Sequence, residues 1–222
     1  MIHVYGFVDE LRELPRVAGL DDAPLERQRL GDVELVISRS EAPPAPEVSR
    51  EALLRHAEVV EELMHRSEAL LPAQLGRTFA SEDELAAAVL TRAEDLARGL
   101  ERVRGCVEFG LRVIEPKDGG EERERPASAS GAEYMRARLA EVKGRERLLA
   151  DLHEPLVRLS RANLVTPGTA GVLRAAYLVP KTNVAAFCEA VERVEAARPE
   201  LAIVSTGPWP PYSFADHPRE AA

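Results

Sequence analysis

Cys106-Val107-Glu108-Phe109-Gly110-Leu111-Arg112-Val113-Ile114 is the stretch on which the reading of the fold turns. Apolar residues occupy both parities of the run, so it predicts a long strand with substantial burial rather than a half-solvated one. Downstream, Glu115 to Ala129 is rich in Gly, Pro and charge, which predicts a solvated loop. Ser130-Gly131-Ala132-Glu133 is a capping box opening a long helix, with Met135, Leu139, Val142, Leu149, Leu152, Leu156 and Leu159 on one stripe. Glu146 interrupts that stripe and Pro155 is expected to bend or break it. A short strand around Ala162 to Val165, a turn at Pro167-Gly168 and a strong strand from Val172 to Val179 follow. A helix from Asn183 to Ala197 carries Val184, Phe187, Val191 and Val194, and the last strand is Leu201 to Ser205. Residues 104–206 therefore spell strand, helix, strand, strand, helix, strand, the split βαβ order of a ferredoxin-like (βαββαβ) domain.

Upstream, residues 1–103 read as an N-terminal α+β domain, with strands within 2–38 and helices within 49–103. Ile2, Val4 and Phe7 suggest a first strand ending near Asp9-Glu10. Leu25 to Leu30 and Val33 to Ser38 read as two strands joined at Gly31-Asp32. Pro43, Pro44 and Pro46 form a stiff connector. A helix begins after Ser49, an N-cap residue, and Leu53, Ala57, Val60, Met64 and Leu71 recur on one face until Pro72 ends it. The capping box Ser81-Glu82-Asp83-Glu84 starts a second helix whose seam is Leu85, Val89, Ala93, Leu96, Leu100 and Val103. The two helices form a hairpin joined by Leu71 to Ala80. The fold class is α+β, with residues 104–222 as a ferredoxin-like domain ending in a proline-aromatic tail.

That tail, Thr206-Gly207-Pro208-Trp209-Pro210-Pro211-Tyr212-Ser213-Phe214, holds the only Trp and three of the 16 prolines in a chain that is 5% aromatic. Proline fixes φ and removes the amide donor, so the segment is neither helix interior nor central strand. It is expected to run extended, in a polyproline-like path, with three rings to bury. Two uses fit: a tail clamped onto its own protein, or a surface offered to a partner.

Composition narrows the function classes. At 222 residues, with 45% hydrophobic content, the chain has enough apolar matter for one large or two small cores. The formal net charge is −9 and the basic residues are dispersed among acids, a poor match to nucleic acid. No apolar run approaches the roughly 20 residues that cross a bilayer, and Met1-Ile2-His3-Val4-Tyr5 has no signal-peptide character. The chain reads as cytoplasmic. Cys106 and Cys188 each stand alone in apolar surroundings and read as buried core residues rather than metal ligands. His56 and His65 lie about 180° apart at helical pitch, and His153 lacks a second ligand four residues on. These read as surface or cap residues, so no metal site or cofactor is expected. The glycines form no dinucleotide or P-loop motif, and no G-x-S-x-G elbow occurs. Glu108, between Val107 and Phe109, would be a general acid or base if buried; otherwise alternation points it outward, or Arg112 on the same face keeps it company, or it serves a partner contact. No catalytic set assembles from the sequence.

Val4-Tyr5-Gly6, Leu71-Pro72 followed by Gly76, Glu108-Phe109-Gly110 and the Thr206–Phe214 block together resemble the gas vesicle protein family GvpF/GvpL. There the same blocks occur in the same order along essentially the whole chain. Ser130-Gly131-Ala132-Glu133-Tyr134-Met135 fits that family's Ser-Gly…Tyr-Leu block. Gln74-Leu75-Gly76-Arg77 departs from its Arg-Phe-Gly-Thr, and Arg55-His56 stands where a His pair is common. The resemblance implies a non-enzymatic accessory protein of gas vesicle assembly, without cofactor, acting in nucleation or at the gas-facing surface. Its implied partners are the small hydrophobic shell protein GvpA and other accessory Gvp proteins, not nucleic acid, membrane or a small-molecule substrate. Candidate interface residues are Trp209, Pro210, Pro211, Tyr212, Phe214, Leu71, Pro72, Phe79 and Glu108. The rival class is a ferredoxin-like small-molecule-sensing regulatory module, which calls for a concave pocket with convergent polar groups.

Overall fold

The structure, a computed structural model, describes residues 1–41, 49–114, 135–136, 139, 151–167 and 172–215. The Pro43–Pro46 connector, the 115–129 loop, the Ser130 capping box, most of the helical stripe beyond it and the Pro167-Gly168 turn lie outside or at the limits of these residues. The chain is mixed α and β with two antiparallel sheets. It divides into two compact units, residues 1–108 with 208–222, and residues 109–207.

In the first unit, β1 (Ile2–Asp9) is central. β3 (Val33–Arg39) pairs with it on one side, and β2 (Leu25–Leu30) pairs with β3 through the expected turn at Gly31, whose φ of 61° suits glycine. On the other side of β1 lie β4 (Ala69–Pro72), opposite Gly6 to Asp9, and the short β5 (Thr78–Phe79), opposite Ile2 and His3. Position 6 must be glycine for this pairing, because a Cβ there would stand 2.9 Å from the Leu71 carbonyl oxygen.

β4 corrects the expected hairpin, in which Leu71 ended a helix. α1 (Arg50–Arg66) stops earlier, where Ser67 turns extended and its hydroxyl donates back to the Leu63 carbonyl oxygen at 2.8 Å. The next residues, Ala69 to Pro72, are all buried beside β1. Pro72 is tolerated because it closes an outer strand. The start of α1 is as expected, with Ser49 Oγ accepting from the Ala52 amide at 3.0 Å. Its buried face is His56, Val59, Val60, Leu63 and Met64, while Leu53 and Ala57 face solvent. The second expected helix is two: α2 (Glu82–Thr91) and α3 (Ala93–Val103), separated at Arg92, whose φ of −114° and ψ of 12° leave the helical region. Leu85, Val89, Leu96, Leu100 and Val103 are buried as the seam required. Ser81 Oγ caps the Glu84 amide at 3.2 Å, and Glu84 reaches back to the Ala80 amide at 2.8 Å.

In the second unit the sheet order is β7 (Ala162–Pro167), β8 (Val172–Pro180), β6 (Cys106–Ile114), β9 (Ala202–Trp209), so β7 and β9 are edges. Residues 151–157 are helical straight through Pro155, and α5 (Val184–Ala197) joins β8 to β9. We label the 151–157 helix α4. Phe109, Tyr177 and Phe187 form the aromatic centre of this core, with ring centroids 5.0 and 5.4 Å apart along the chain Phe109–Phe187–Tyr177. α5 buries Phe187, Ala190, Val191 and Val194, which recur at helical spacing and leave Cys188 on the solvent side. The expectation of two buried cysteines therefore holds for Cys106 and fails for Cys188.

Candidate partner-binding site

The tail does not keep one path. β9 carries the chain extended through Pro208 to Trp209, and its place at the sheet edge is where a strand tolerates proline. Gly207 takes φ of 123°, and past Pro211 the residues Tyr212–Phe214 close a 3-10 turn. In it the Phe214 and Ala215 amides donate to the Pro211 carbonyl oxygen at 3.1 and 3.0 Å. Pro210, Pro211, Phe214 and Ala215 are buried, and Tyr212 is half-buried, with burial pushing its hydroxyl up to about 12. Trp209 remains 49% exposed.

Glu108 holds this turn in place. Its carboxylate accepts from the Ser213 hydroxyl at 2.6 Å and the Ser213 amide at 2.8 Å. Arg102 on α3 donates to the Phe214 carbonyl oxygen. Charge-assisted bonds of this kind contribute about 1.5–3 kcal/mol when shielded and less when solvated. Burial holds the Glu108 carboxyl above its ordinary value, and the two Ser213 bonds offset only part of that rise. Sequence reasoning had offered Arg112 as the companion, but the partner lies 105 residues away, at a distance no spacing rule covers.

Leu71 and Pro72 are buried in β4 and present no surface. Phe79 is half-buried and lines an apolar cavity of about 30 Å³ with Val4, Phe7, Ala73, Val89 and Leu96, room for about one water. The structure thus brings Glu108, Pro210, Pro211, Tyr212 and Phe214 together, leaves Trp209 outward, and places Phe79 elsewhere. Further exposed apolar side chains among the described residues are Leu53 and Leu54 on α1, Leu90 on α2, Leu164 and Val165 on β7, Val204 on β9, and also Met135 and Leu139. A shallow open groove on α1 is bordered by Arg50, Leu54, Arg55 and Glu58.

One polar cluster escaped the sequence reading, which had put His56 at the surface. His3 and His56 are 5% and 2% exposed and lie with Tyr5 and Ser38 beneath α1. A carbonyl only accepts, so His56 Nε2 donates to the Ala73 oxygen at 2.9 Å. His56 Nδ1 is then an acceptor, and His3 Nε2 donates to it at 3.0 Å. Tyr5 stacks on His56 at 5.4 Å, accepts the Leu20 amide at 2.7 Å and shares a hydrogen bond with Ser38 Oγ at 2.9 Å. Both imidazoles are neutral: burial lowers His3 to about 4, with His56 adding to the fall, and burial lowers His56 too. A hydrophobic residue three or four positions from His56, repeated along α1, was the available signal. Among the described residues no group of three or more metal-ligating side chains gathers, and no helix is long and apolar enough to cross a membrane.

The chain as a whole is similar to known proteins. A family profile described as gas vesicle synthesis protein GvpL/GvpF matches residues 1–216. Gas vesicle protein L of a Streptomyces species is 37% identical over 140 residues, 53% of this chain and 52% of that protein, so the chain spans about half of that relative. Gas vesicle protein F1 of Halobacterium salinarum is 28% identical over 173 residues, covering 77% of this chain and 72% of that one. Among solved structures, gas vesicle protein GvpF from an Anabaena species superposes with a TM-score of 0.77 at 19% identity, over 97% of this chain and 96% of that one. GvpF from Microcystis aeruginosa gives 0.78 at 17% identity, over 97% and 99%. With the profile matched across nearly its full length, the chain belongs to the gas vesicle synthesis protein GvpL/GvpF family.

Proposed function

We propose that this chain is a non-enzymatic accessory protein of gas vesicle assembly that binds the hydrophobic shell protein GvpA, or another accessory Gvp protein, in the cytoplasm during nucleation or at the gas-facing surface. The observation that carries the reading is the family match over residues 1–216. In physical terms the protein would cover an aggregation-prone shell subunit before its incorporation. Trp209, held outward by a tail whose other apolar residues are packed away, is the side chain we assign to that contact. The nine interface candidates then divide by role: Trp209 touches the partner, Pro210, Pro211, Tyr212, Phe214 and Glu108 hold it in position, and Leu71, Pro72 and Phe79 serve the core. The net charge of −9 keeps the free protein dispersed.

We also read the second unit as ferredoxin-like. The sheet order β7-β8-β6-β9, with a helix after β6 and another after β8, supports that reading.

Co-expression pull-down with the shell protein tests the function, comparing the intact chain with Trp209→Ala and with a chain ending after Ser205. Capture by the intact chain and its loss in Trp209→Ala is the expected result. Capture by none of the three, with every other vesicle protein also failing, would remove the hypothesis.

A further inference from the structure

One face of the second sheet is covered and the other is bare. Phe187 of α5 packs on Phe109 and Tyr177, and His153 of α4 shares a hydrogen bond with the Tyr177 hydroxyl at 2.7 Å. Both helices therefore lie over the face that carries the odd positions of β6 and β8. The even positions point the other way. Leu164 and Thr166 of β7 stand opposite Ala176 and Arg174 of β8. A Cβ on Gly110 of β6 would meet Thr206 Oγ1 of β9 at 2.8 Å, which puts Arg112 and Val204 on this face by the two-residue period. Leu164 is 46% exposed and Val204 49%, and Arg112, Thr166, Arg174 and Thr206 are exposed as well.

The bare face is basic in a chain of net charge −9. Among the described residues, neither Arg112 nor Arg174 has an ion pair or a hydrogen bond. Glu108, the acid of the same parity on β6, is taken up by Ser213. The helix side of the same unit has the reverse character. α5 turns Glu189, Glu192 and Glu195 to solvent, and among the described residues these carboxylates also have no partner. Exposed Arg193 beside them leaves the acids in excess. Ala185 and Ala196 continue the stripe of Glu189 and Glu192, so no long side chain holds a neighbour away at its ends.

A sheet that buries one face under helices is completed by helices on the other. Two unpaired arginines flanked by exposed aliphatic side chains call for a helix bearing acidic and small residues, and this chain displays one. We propose that the bare face, centred on Arg112 and Arg174, docks the acidic outer face of α5 from a second copy of this chain. The two surfaces lie on opposite sides of one unit, so the contact is heterologous. Each copy bound through one face still offers the other, which builds a row or ring of copies rather than a two-fold pair. Solvated ion pairs are individually weak, so rows form where copies are concentrated and separate on dilution. The contact is independent of the one assigned to Trp209, and either can fail while the other stands.

Two full-length variants separate the faces. Arg112→Ala with Arg174→Ala spoils the sheet face, and Glu189→Ala with Glu192→Ala and Glu195→Ala spoils the helix face. All five side chains are exposed, so both variants keep the fold. Sedimentation of the wild type at about 1 mM is expected to give species larger than a dimer. Each variant alone should give monomers, and an equal mixture should give one-to-one heterodimers that grow no further. A monomeric wild type overturns the proposal and leaves the bare face to an acidic helix of another protein. Association that persists in either variant alone, a wild type that stops at a dimer, or a mixture that stays monomeric puts the contact elsewhere and overturns it equally. Should a variant lose its native circular dichroism, Arg174→Ala and Glu192→Ala replace the multiple substitutions, with the same outcomes expected.

Discussion

Acid should loosen the first unit through His3 and His56, by an amount the geometry sets. Both rings are buried and neutral, and the directed chain from His3 through His56 to the Ala73 carbonyl has no room for a second proton on His56 Nδ1. Asp21 is the one facing acid that favours a charged His3, and its pull is smaller than the effect of burial. The unfolded chain takes up a proton near 6.5, whereas folded His3 does so only at about 4. Between those values the unfolded state binds more protons, so stability present above 6.5 is lost as pH falls toward 4. At about 1.36 kcal/mol per pH unit, His3 alone costs about 3 kcal/mol over that window, and His56 acts in the same direction. The assay is urea unfolding at stepped pH for the wild type and for His3→Gln, whose amide still donates to His56. Carboxylate contributions are shared by the two proteins and cancel in the difference. The wild type should lose about 3 kcal/mol more than His3→Gln on going from neutral to acid. Parallel pH profiles, or a His3 imidazole resonance titrating near its ordinary value, would refute the reasoning.

Other expectations follow from packing. Gly6→Ala would press a Cβ against the Leu71 backbone oxygen and should cost about 1–3 kcal/mol, read as a fall in Tm. Gly99→Ala meets only the flexible Leu71 Cδ1 at 2.8 Å, and the gain in helix propensity of about 1 kcal/mol should leave it near neutral. Phe214→Ala should lower stability by about 3 kcal/mol in thermal melts, while exposed Trp209→Ala should stay within about 0.5 kcal/mol. Removing the α1 cap with Ser49→Ala should cost about 1 kcal/mol in the same melts.

Where a feature depends on neighbours a few residues away, the chain could be read directly. Ser49 and Ser81 announced their helices through a side-chain oxygen three residues from the amide it caps. Gly31 marked the turn between β2 and β3 because only glycine takes its φ cheaply. The seam from Leu85 to Val103 was visible by period, although the break at Arg92 was not, since no proline or glycine stands there. Cys188 was misplaced because an apolar neighbourhood in sequence says nothing of phase around a helix. Of the candidate site, the aromatic cluster was legible as a segment and its destination was not.

By itself, then, the amino-acid order determined the Ser49 and Ser81 caps, the Gly31 turn, the mixed α and β character and the four blocks that carry the family likeness. Tertiary structure alone decided that Ala69–Pro72 is a strand, that His56 is buried against His3, and that the tail returns to Glu108 and Arg102. Capping and turn preferences act over three or four residues and leave their mark on the local sequence. Pairing β4 with β1, or Ser213 with Glu108, joins groups about 60 and 105 positions apart, and only the packed chain brings those together.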